Sequence, residues 1–365
     1  MLLYLHIPFC HRVCPYCSFY KHTPGDTPIS AFINALAAEA RSRMAAMPRP
    51  RTIYLGGGTP SMLSPTHLRR LFDALHDVCG SFKGIEEVTF EANPATFDVA
   101  KARVFRELGV TRVSLGIQSF ADHVLATLGR EHSPDEAAAS VGVLREAGIP
   151  SVNIDLMFSI PGQSDADWEA TLTRAVALKP DHISAYNLTY EEDTAFFDSL
   201  RRGEMRENED VDARQFHLAR EILGAAGFDH YETSNHARPG HRSGHNLGYW
   251  SGEDYLGLGP GAVSTLHGVR SHNIADTAKY ISMVGTLGHA ISESEALTPE
   301  ALRIERIALG LRTSEGIGMA MLDDDARARA EAIAAEGLAE ITAQGRLLLR
   351  GKGRALVDPI SAELI

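Results

Sequence analysis

Short runs rich in β-branched and aromatic residues begin near Leu2, Thr52, Val88, Arg112, Val152 and His182, and stretches with helical spacing separate them. One such stretch carries Leu68, Leu71, Phe72, Leu75, Val78 and Cys79 on a single apolar stripe. Local punctuation agrees with these periods. Ser64-Pro65 reads as an N-cap followed by a first-turn proline, and Ser133-Pro134-Asp135-Glu136 as a capping box with proline at the first helical position. Gly148, ahead of Ile149-Pro150, ends the helix that Ser133 starts. Strand–helix units recurring about every 30 residues predict an α/β fold, with a parallel sheet and right-handed crossovers, because parallel neighbours need a helical return. Six units are too few for a closed eight-fold barrel.

After residue 228 the alternation breaks. Residues 229–297 are rich in Gly and His and read as an irregular extension of strands and loops that completes and covers the sheet. A capped helix starts at Thr298-Pro299-Glu300, a second helix spans roughly Asp324 to Glu336, and a hairpin follows from Leu338 to Thr342 and Arg346 to Leu349, turned by Ala343-Gln344-Gly345. Helices followed by a hairpin predict a small α+β, winged-helix-like domain over 298–365. Its nine Lys and Arg against eleven Asp and Glu lack the basic footprint of a DNA binder, so packing or partner contact is its expected role.

With 365 residues, 44% of them hydrophobic, the chain can bury a sizeable core. Its net charge of −12 argues against nucleic acid, whose binding rests on cations that neutralise phosphates. No segment has the length of a membrane span. The apolar start Met1-Leu2-Leu3-Tyr4-Leu5 lacks a basic n-region and runs straight into a cysteine-rich loop, so it is not read as a signal peptide, and a cytoplasmic location is expected.

That loop, His6-Ile7-Pro8-Phe9-Cys10-His11-Arg12-Val13-Cys14-Pro15-Tyr16-Cys17, places three thiols within eight residues. Iron–sulfur clusters are normally held by four thiolates, so three with no fourth nearby leave one iron open to an exogenous ligand. The alternative is a zinc knuckle completed by His6 or His11, but such loops pair with a second set of ligands further on, and none is evident. Cys79, on its apolar stripe, reads as a buried structural thiol.

The C-x3-C-x2-C spacing resembles the radical S-adenosylmethionine (SAM) superfamily, in which SAM occupies the open iron of a [4Fe-4S] cluster. The resemblance implies a partial (β/α)6 radical SAM barrel over residues 1–228, with its chemistry on the loops after the strands. Gly56-Gly57-Gly58-Thr59-Pro60 follows the second strand and reads as a place where backbone approaches a ligand closely. Phe90-Glu91-Ala92-Asn93-Pro94, Ser114-Leu115-Gly116-Ile117-Gln118-Ser119-Phe120, Leu128-Gly129-Arg130 and Asn153-Ile154-Asp155-Leu156-Met157 look like strand-end motifs of the coproporphyrinogen III dehydrogenase-like radical SAM family. By that resemblance Glu91, Gln118, Arg130 and Asp155 contact SAM, together with Tyr4, Tyr16, Gly57, Gly58 and Thr59. Carboxylates suit ribose hydroxyls or the amine of SAM, and the fork of Arg130 suits its carboxylate.

Two branches of this family differ near the cluster. The oxygen-independent dehydrogenases carry a further Cys two residues after the third cluster ligand and a longer segment ahead of the cluster. Here that position is Phe19, and nine residues precede Cys10. Both features resemble the HemW-type heme-chaperone branch, as does His245-Asn246-x-x-Tyr249-Trp250, a signature linked there to heme. His245 and Tyr249 are then the heme candidates, with His230, His236, His241 or His272 as a second axial ligand. On residue chemistry alone, packing of Tyr249 and Trp250 around a hydrogen-bonded His245 is the favoured reading, and it is the family signature that turns it toward heme. The expected function is carriage of heme to an acceptor hemoprotein such as a respiratory enzyme, by a cytoplasmic protein that visits the inner membrane peripherally and forms a homodimer. A coproporphyrinogen III dehydrogenase, or another radical SAM enzyme acting on a tetrapyrrole, is the alternative.

The thiol assignments make the first prediction. Cys→Ser at position 10, 14 or 17 should abolish iron–sulfur absorbance after anaerobic reconstitution, and Cys79→Ser should leave it intact. Loss of the cluster in the Cys79 variant alone would reverse the assignment.

Overall fold

Along most of the first six strands every second residue is apolar and packs against helices, while many of the residues between them, such as Tyr4, Tyr54, Thr89, Ser114 and Asn153, are polar or aromatic and share the opposite face. A computed structural model describes all residues, 1–365. Its strands β1 (Leu2–Ile7), β2 (Thr52–Gly57), β3 (Glu87–Ala92), β4 (Arg112–Gln118), β5 (Ser151–Phe158) and β6 (His182–Asn187) begin at or beside the six expected starts. They pair in parallel in chain order. The outward residues, among them Leu3, Leu5, Ile53, Leu55, Phe90, Leu115 and Ile154, join one buried cluster with helices such as Ile29–Met44, Pro65–Cys79 and Pro134–Glu146. The sheet remains open, as a six-unit partial barrel requires. Ser64, Pro65 and the Ser133 capping box start their helices as read, Gly148 follows the end of the second in a left-handed conformation (φ +77°), and Cys79 is buried.

Residues 229–297 are more regular than the sequence suggested. Asn235–Ala237 pairs antiparallel with β6, and Tyr255–Leu258 adds a parallel strand on the far side of β1. Val263–Leu266, Val269–Asn273 and Ile291–Ala296 continue from it as an antiparallel meander. The helix Thr277–Leu287, capped by Asp276, packs on Ile29–Met44. Its Tyr280 hydroxyl donates to the buried Glu39 carboxylate at 2.7 Å, which also accepts from Gly259 N at 2.9 Å and Asn273 Nδ2 at 2.8 Å. Periodicity missed this extension because its strands are short and its anchor is a buried acid. Leu256, Leu258, Tyr280 and Val284 belong to the barrel's own core, whereas residues 298–365 build a separate one. That last unit carries the expected helices, Pro299–Leu311 and Asp324–Ala335, and the hairpin Ala339–Ile341 with Arg346–Leu349, together with a short strand, Ile317–Gly318, and a final helix, Val357–Leu364.

At the N-terminal end of the strands, Glu87 on β3 and Arg112 on β4 form an ion pair of 3.0 Å with both side chains nearly inaccessible. Glu87 also accepts from Ser243 Oγ and the Gly244 and His245 backbone amides at 3.1, 3.1 and 3.3 Å, and so binds the start of the helix Gly244–Trp250. Burial alone would push the Glu87 carboxyl up, but Arg112 and these donors hold it below the usual carboxylate range. Arg112 Nη2 donates to the carbonyls of His241 and Arg242, which fixes the preceding turn.

Arg112→Met removes one partner of a buried pair and should destabilise the cofactor-free protein by about 3–5 kcal/mol in urea unfolding, with Glu87→Gln/Arg112→Met less affected than the sum of the single changes. A loss below about 1 kcal/mol would deny the pair its anchoring role.

Candidate functional site

Above the barrel, Phe9 anchors the cysteine loop. It is fully buried against Phe32, with ring centroids 5.0 Å apart, and His22 closes the loop through backbone bonds to Cys10 and Pro8 of 3.0 and 2.9 Å. The glycine run clasps the loop from β2: Gly58 N donates to the Ile7 carbonyl and Thr59 N to the Phe9 carbonyl, each at 2.7 Å. A Cβ on Gly57 would lie 2.6 Å from the His6 ring, and one on Gly58 2.7 Å from the Phe9 oxygen. These glycines therefore allow the cysteine loop itself to approach, in addition to bordering the space where a ligand would lie.

That space is a cavity of about 800 Å³, bordered by the cluster, SAM and principal heme candidates from the sequence: Cys10, Cys14 and Cys17; Tyr4, Tyr16, Gly57, Gly58, Thr59, Glu91, Gln118, Arg130 and Asp155; and His245 with Tyr249. The thiols are half-buried and unbridged. Cys10 Sγ receives the Thr59 hydroxyl at 3.6 Å and Cys14 Sγ receives Arg130 Nη1 at 3.7 Å. Donors aimed at sulfur suit thiolate ligands, whose negative charge they stabilise. No three Cys, His, Asp or Glu side chains converge on a position for a single metal ion, whereas a cubane takes each thiolate at a different corner. His6 is committed elsewhere. Its Nε2–H donates to the Tyr20 carbonyl at 2.6 Å, which leaves Nδ1 to accept from the Tyr4 hydroxyl at 3.0 Å, so neither nitrogen is free to complete a zinc knuckle. The donor set fits a [4Fe-4S] cluster.

Glu91 and Asp155 are not surface strand caps. Glu91 accepts from the Tyr54 hydroxyl at 2.7 Å and Gly57 N at 3.0 Å, and burial pushes its carboxyl up to about 7. Asp155 accepts from Ser114 Oγ at 2.8 Å and Asn153 Nδ2 at 2.7 Å, and burial raises it as well. Neither has an ion-pair partner in the chain, so both are poised for a cationic or hydroxyl-bearing ligand. Arg130 is more tied than the sequence suggested: its Nη2 donates to Asn93 Oδ1 at 2.8 Å and to the Gly116 carbonyl at 2.6 Å. Gln118 ends β4 with φ +69° at a register shift, which turns it toward the cavity rim.

The helix Gly244–Trp250 brings His245 and Tyr249 onto one face, with their rings 4.8 Å apart. His245 is 1% exposed. Its Nδ1 is 2.8 Å from Thr52 Oγ1, its Nε2 has no partner, and burial holds the ring neutral by lowering its titration to about 4. His230, His236, His241 and His272 do not border the cavity.

The sequence reading passed over the barrel's interior network. Asn153 connects Asp155 to His182, whose Nδ1–H donates to Asn153 Oδ1 at 2.6 Å; His182 Nε2 then accepts from the Tyr231 hydroxyl at 2.8 Å, and that oxygen accepts from Ser243 N at 3.1 Å. Ser243 is the N-cap of the His245 helix. The signal lay in the period-2 alternation of β3 to β6, where Thr89, Ser114, Asn153 and Ser184 fall between apolar residues.

Comparison with known proteins gives the chain's family. Residues 4–175 match the family model of the radical SAM superfamily. The chain is 39% identical to the heme chaperone HemW of Mycobacterium tuberculosis over 369 residues, covering all of this chain and 94% of that one, and 34% identical to HemW of Bacillus subtilis, covering 86% and 84%. Among solved structures, coproporphyrinogen III oxidase (HemN) from Escherichia coli superposes with a TM-score of 0.85 at 22% identity, covering all of this chain and 89% of that one; at that identity the likeness is one of fold.

Because the folded protein binds the Glu91 proton more tightly than an unfolded chain does, this group's stabilising contribution is complete below the ordinary value of 4.5 and is lost as pH rises through about 7. Glu91→Gln stays neutral throughout. The cofactor-free variant should match the parent in thermal unfolding at pH 5 and exceed it by a few degrees at pH 8; equal midpoints at both pH values would contradict the burial argument.

Proposed function

Because the chain belongs to the HemW family of radical SAM proteins, we propose that it is a heme chaperone, which binds heme and passes it to an acceptor hemoprotein such as a respiratory enzyme. One observation carries this reading: the His245–Tyr249 face borders the same cavity as the three cysteines. A bound [4Fe-4S] cluster and SAM would supply one-electron chemistry at an iron with an open position. Around them, Cys10, Cys14 and Cys17 would be the cluster ligands, and Thr59 and Arg130 the donors to sulfur. Glu91 and Asp155 accept hydrogen bonds from the amine or ribose of SAM in this reading, with Gln118, Tyr4, Tyr16, Gly57 and Gly58 completing the wall. Heme itself is cargo, and His245 and Tyr249 are its candidate contacts.

Delivery to a respiratory acceptor places the protein in the cytoplasm with peripheral contact at the inner membrane, as a homodimer in our reading. No helix is long and apolar enough to cross a membrane. The rival, oxidative decarboxylation of coproporphyrinogen III, lacks support at the position two residues beyond Cys17, where the dehydrogenase branch has a Cys and this chain has an exposed Phe19.

Anaerobic reconstitution followed by heme titration separates the two. The protein should develop a saturable Soret band and leave coproporphyrinogen III unconverted when SAM and a reductant are supplied. Robust formation of protoporphyrinogen would restore the dehydrogenase reading.

A further inference from the structure

Heme must first meet a surface it can reach, and His245, although it borders the cavity, is closed to solvent there. Its Nδ1 is bonded to Thr52, its Nε2 is sealed, and its ring lies between Tyr54 and Tyr249 with centroids 5.0 and 4.8 Å away. The cavity has three other histidines. His6 has both nitrogens bonded, and His132 is buried with its Nε2–H given to the Ile117 carbonyl at 3.1 Å. His11 is exposed, with no hydrogen-bond or ion-pair partner in the chain.

The residues beside His11 share that freedom. Arg12 is exposed, borders the cavity and forms no ion pair, although most arginines of this acidic chain do. Phe19, also at the cavity mouth, is 66% exposed, the highest value for any large apolar side chain here, and Val13 adds another exposed apolar group. Isolated exposed apolar residues are ordinary. These flank a cluster loop and sit next to a free imidazole and a free guanidinium.

Heme presents three matching features: an iron that takes imidazole, a flat apolar macrocycle and two carboxylates. We propose that His11, Arg12 and Phe19 form a heme-docking site at the cavity mouth, with His11 ligating the iron, Phe19 packing on the macrocycle and Arg12 pairing with a propionate. The proposal rests on the reading of the chain as a heme carrier. A net charge of −12 repels an anionic porphyrin at a distance, and Arg12, with Lys21 and Arg130 on the same wall, supplies local positive charge, opposed at the rim by Glu131.

The test uses the full chain, anaerobically reconstituted, titrated in parallel with heme, iron-free protoporphyrin IX and heme dimethyl ester. His11→Ala should shift the Soret band and weaken heme about tenfold while leaving protoporphyrin IX unaffected. Arg12→Gln should weaken heme and protoporphyrin IX by a similar factor, with no effect on the dimethyl ester and with recovery in Arg12→Lys. Phe19→Ser should weaken all three ligands. Iron content and SAM binding should stay at parental levels in each variant, and Val269→Ala, at a remote exposed position, should change nothing. Parental Soret spectra and affinities in the His11 and Arg12 variants overturn the docking site, and more so if His245→Ala alone abolishes binding. Loss of SAM binding in Arg12→Gln reassigns that side chain and overturns its role toward heme. Failure of the parent protein to bind heme at all overturns the carrier reading, a result distinct from variants that bind normally.

Discussion

Glu87 and Arg112 meet where each residue is 5% exposed, and neither charge could remain there without the other. Removing two ions from water costs several kcal/mol apiece, which only close contact and a full set of hydrogen bonds can offset. Glu87 obtains that set from Ser243, Gly244, His245 and Thr89, whereas Arg112 gives Nη2 to two carbonyls of the turn before them and leaves its buried Nη1 without a partner. The carboxylate is thus placed at a helix N-terminus, where the unpaired amides and the helix dipole favour negative charge. The turn at His241 and Arg242 and the start of the helix that bears His245 are held by that contact.

The same requirement runs through the rest of the interior. A parallel sheet is normally apolar on both faces, and here one face is apolar while the other is lined with Thr89, Ser114, Asn153, Ser184, Glu91 and Asp155. Such an interior is stable only when its members satisfy one another. The chain of hydrogen bonds from Asp155 through Asn153, His182 and Tyr231 to Ser243 does this, and burial keeps His182 neutral by holding it well below its ordinary titration range. It also joins the carboxylate proposed to contact SAM with the cap of the helix that bears His245. The two halves of the cavity share one polar wall.

Burial raises Glu91 and Asp155, the latter despite the charge of Arg130, whereas Glu87, equally deep, is lowered because Arg112 and several N–H groups face it. Burial raises the structural acid Glu39 as well, so what sets Glu91 and Asp155 apart is that they also border the cavity. On the same reasoning, a histidine with both nitrogens bonded, such as His6, belongs to the scaffold, and an exposed, unpaired one at the mouth, such as His11, is available to a visitor.

Local sequence determined much of this protein by itself. Strand starts, the caps at Ser64 and Ser133, the stop at Gly148 and the terminal hairpin are written in residues close together along the chain, because capping, turn formation and periodicity are short-range effects. The three-thiol loop was legible for the same reason, since its ligands lie within eight residues. Tertiary structure alone decided that Glu87 would bind a helix about 157 positions away, that Glu39 would anchor Tyr280, that Arg130 would be held by Asn93 and the Gly116 carbonyl, and that His245 would be sealed while His11 stayed open. All but the exposure of His11 rest on polar contacts between segments that local sequence does not pair. Whether a polar side chain ends in solvent, in a pair or at a cavity wall depends on which remote partner the fold brings to it, and no local pattern of hydrophobic and polar residues carries that information.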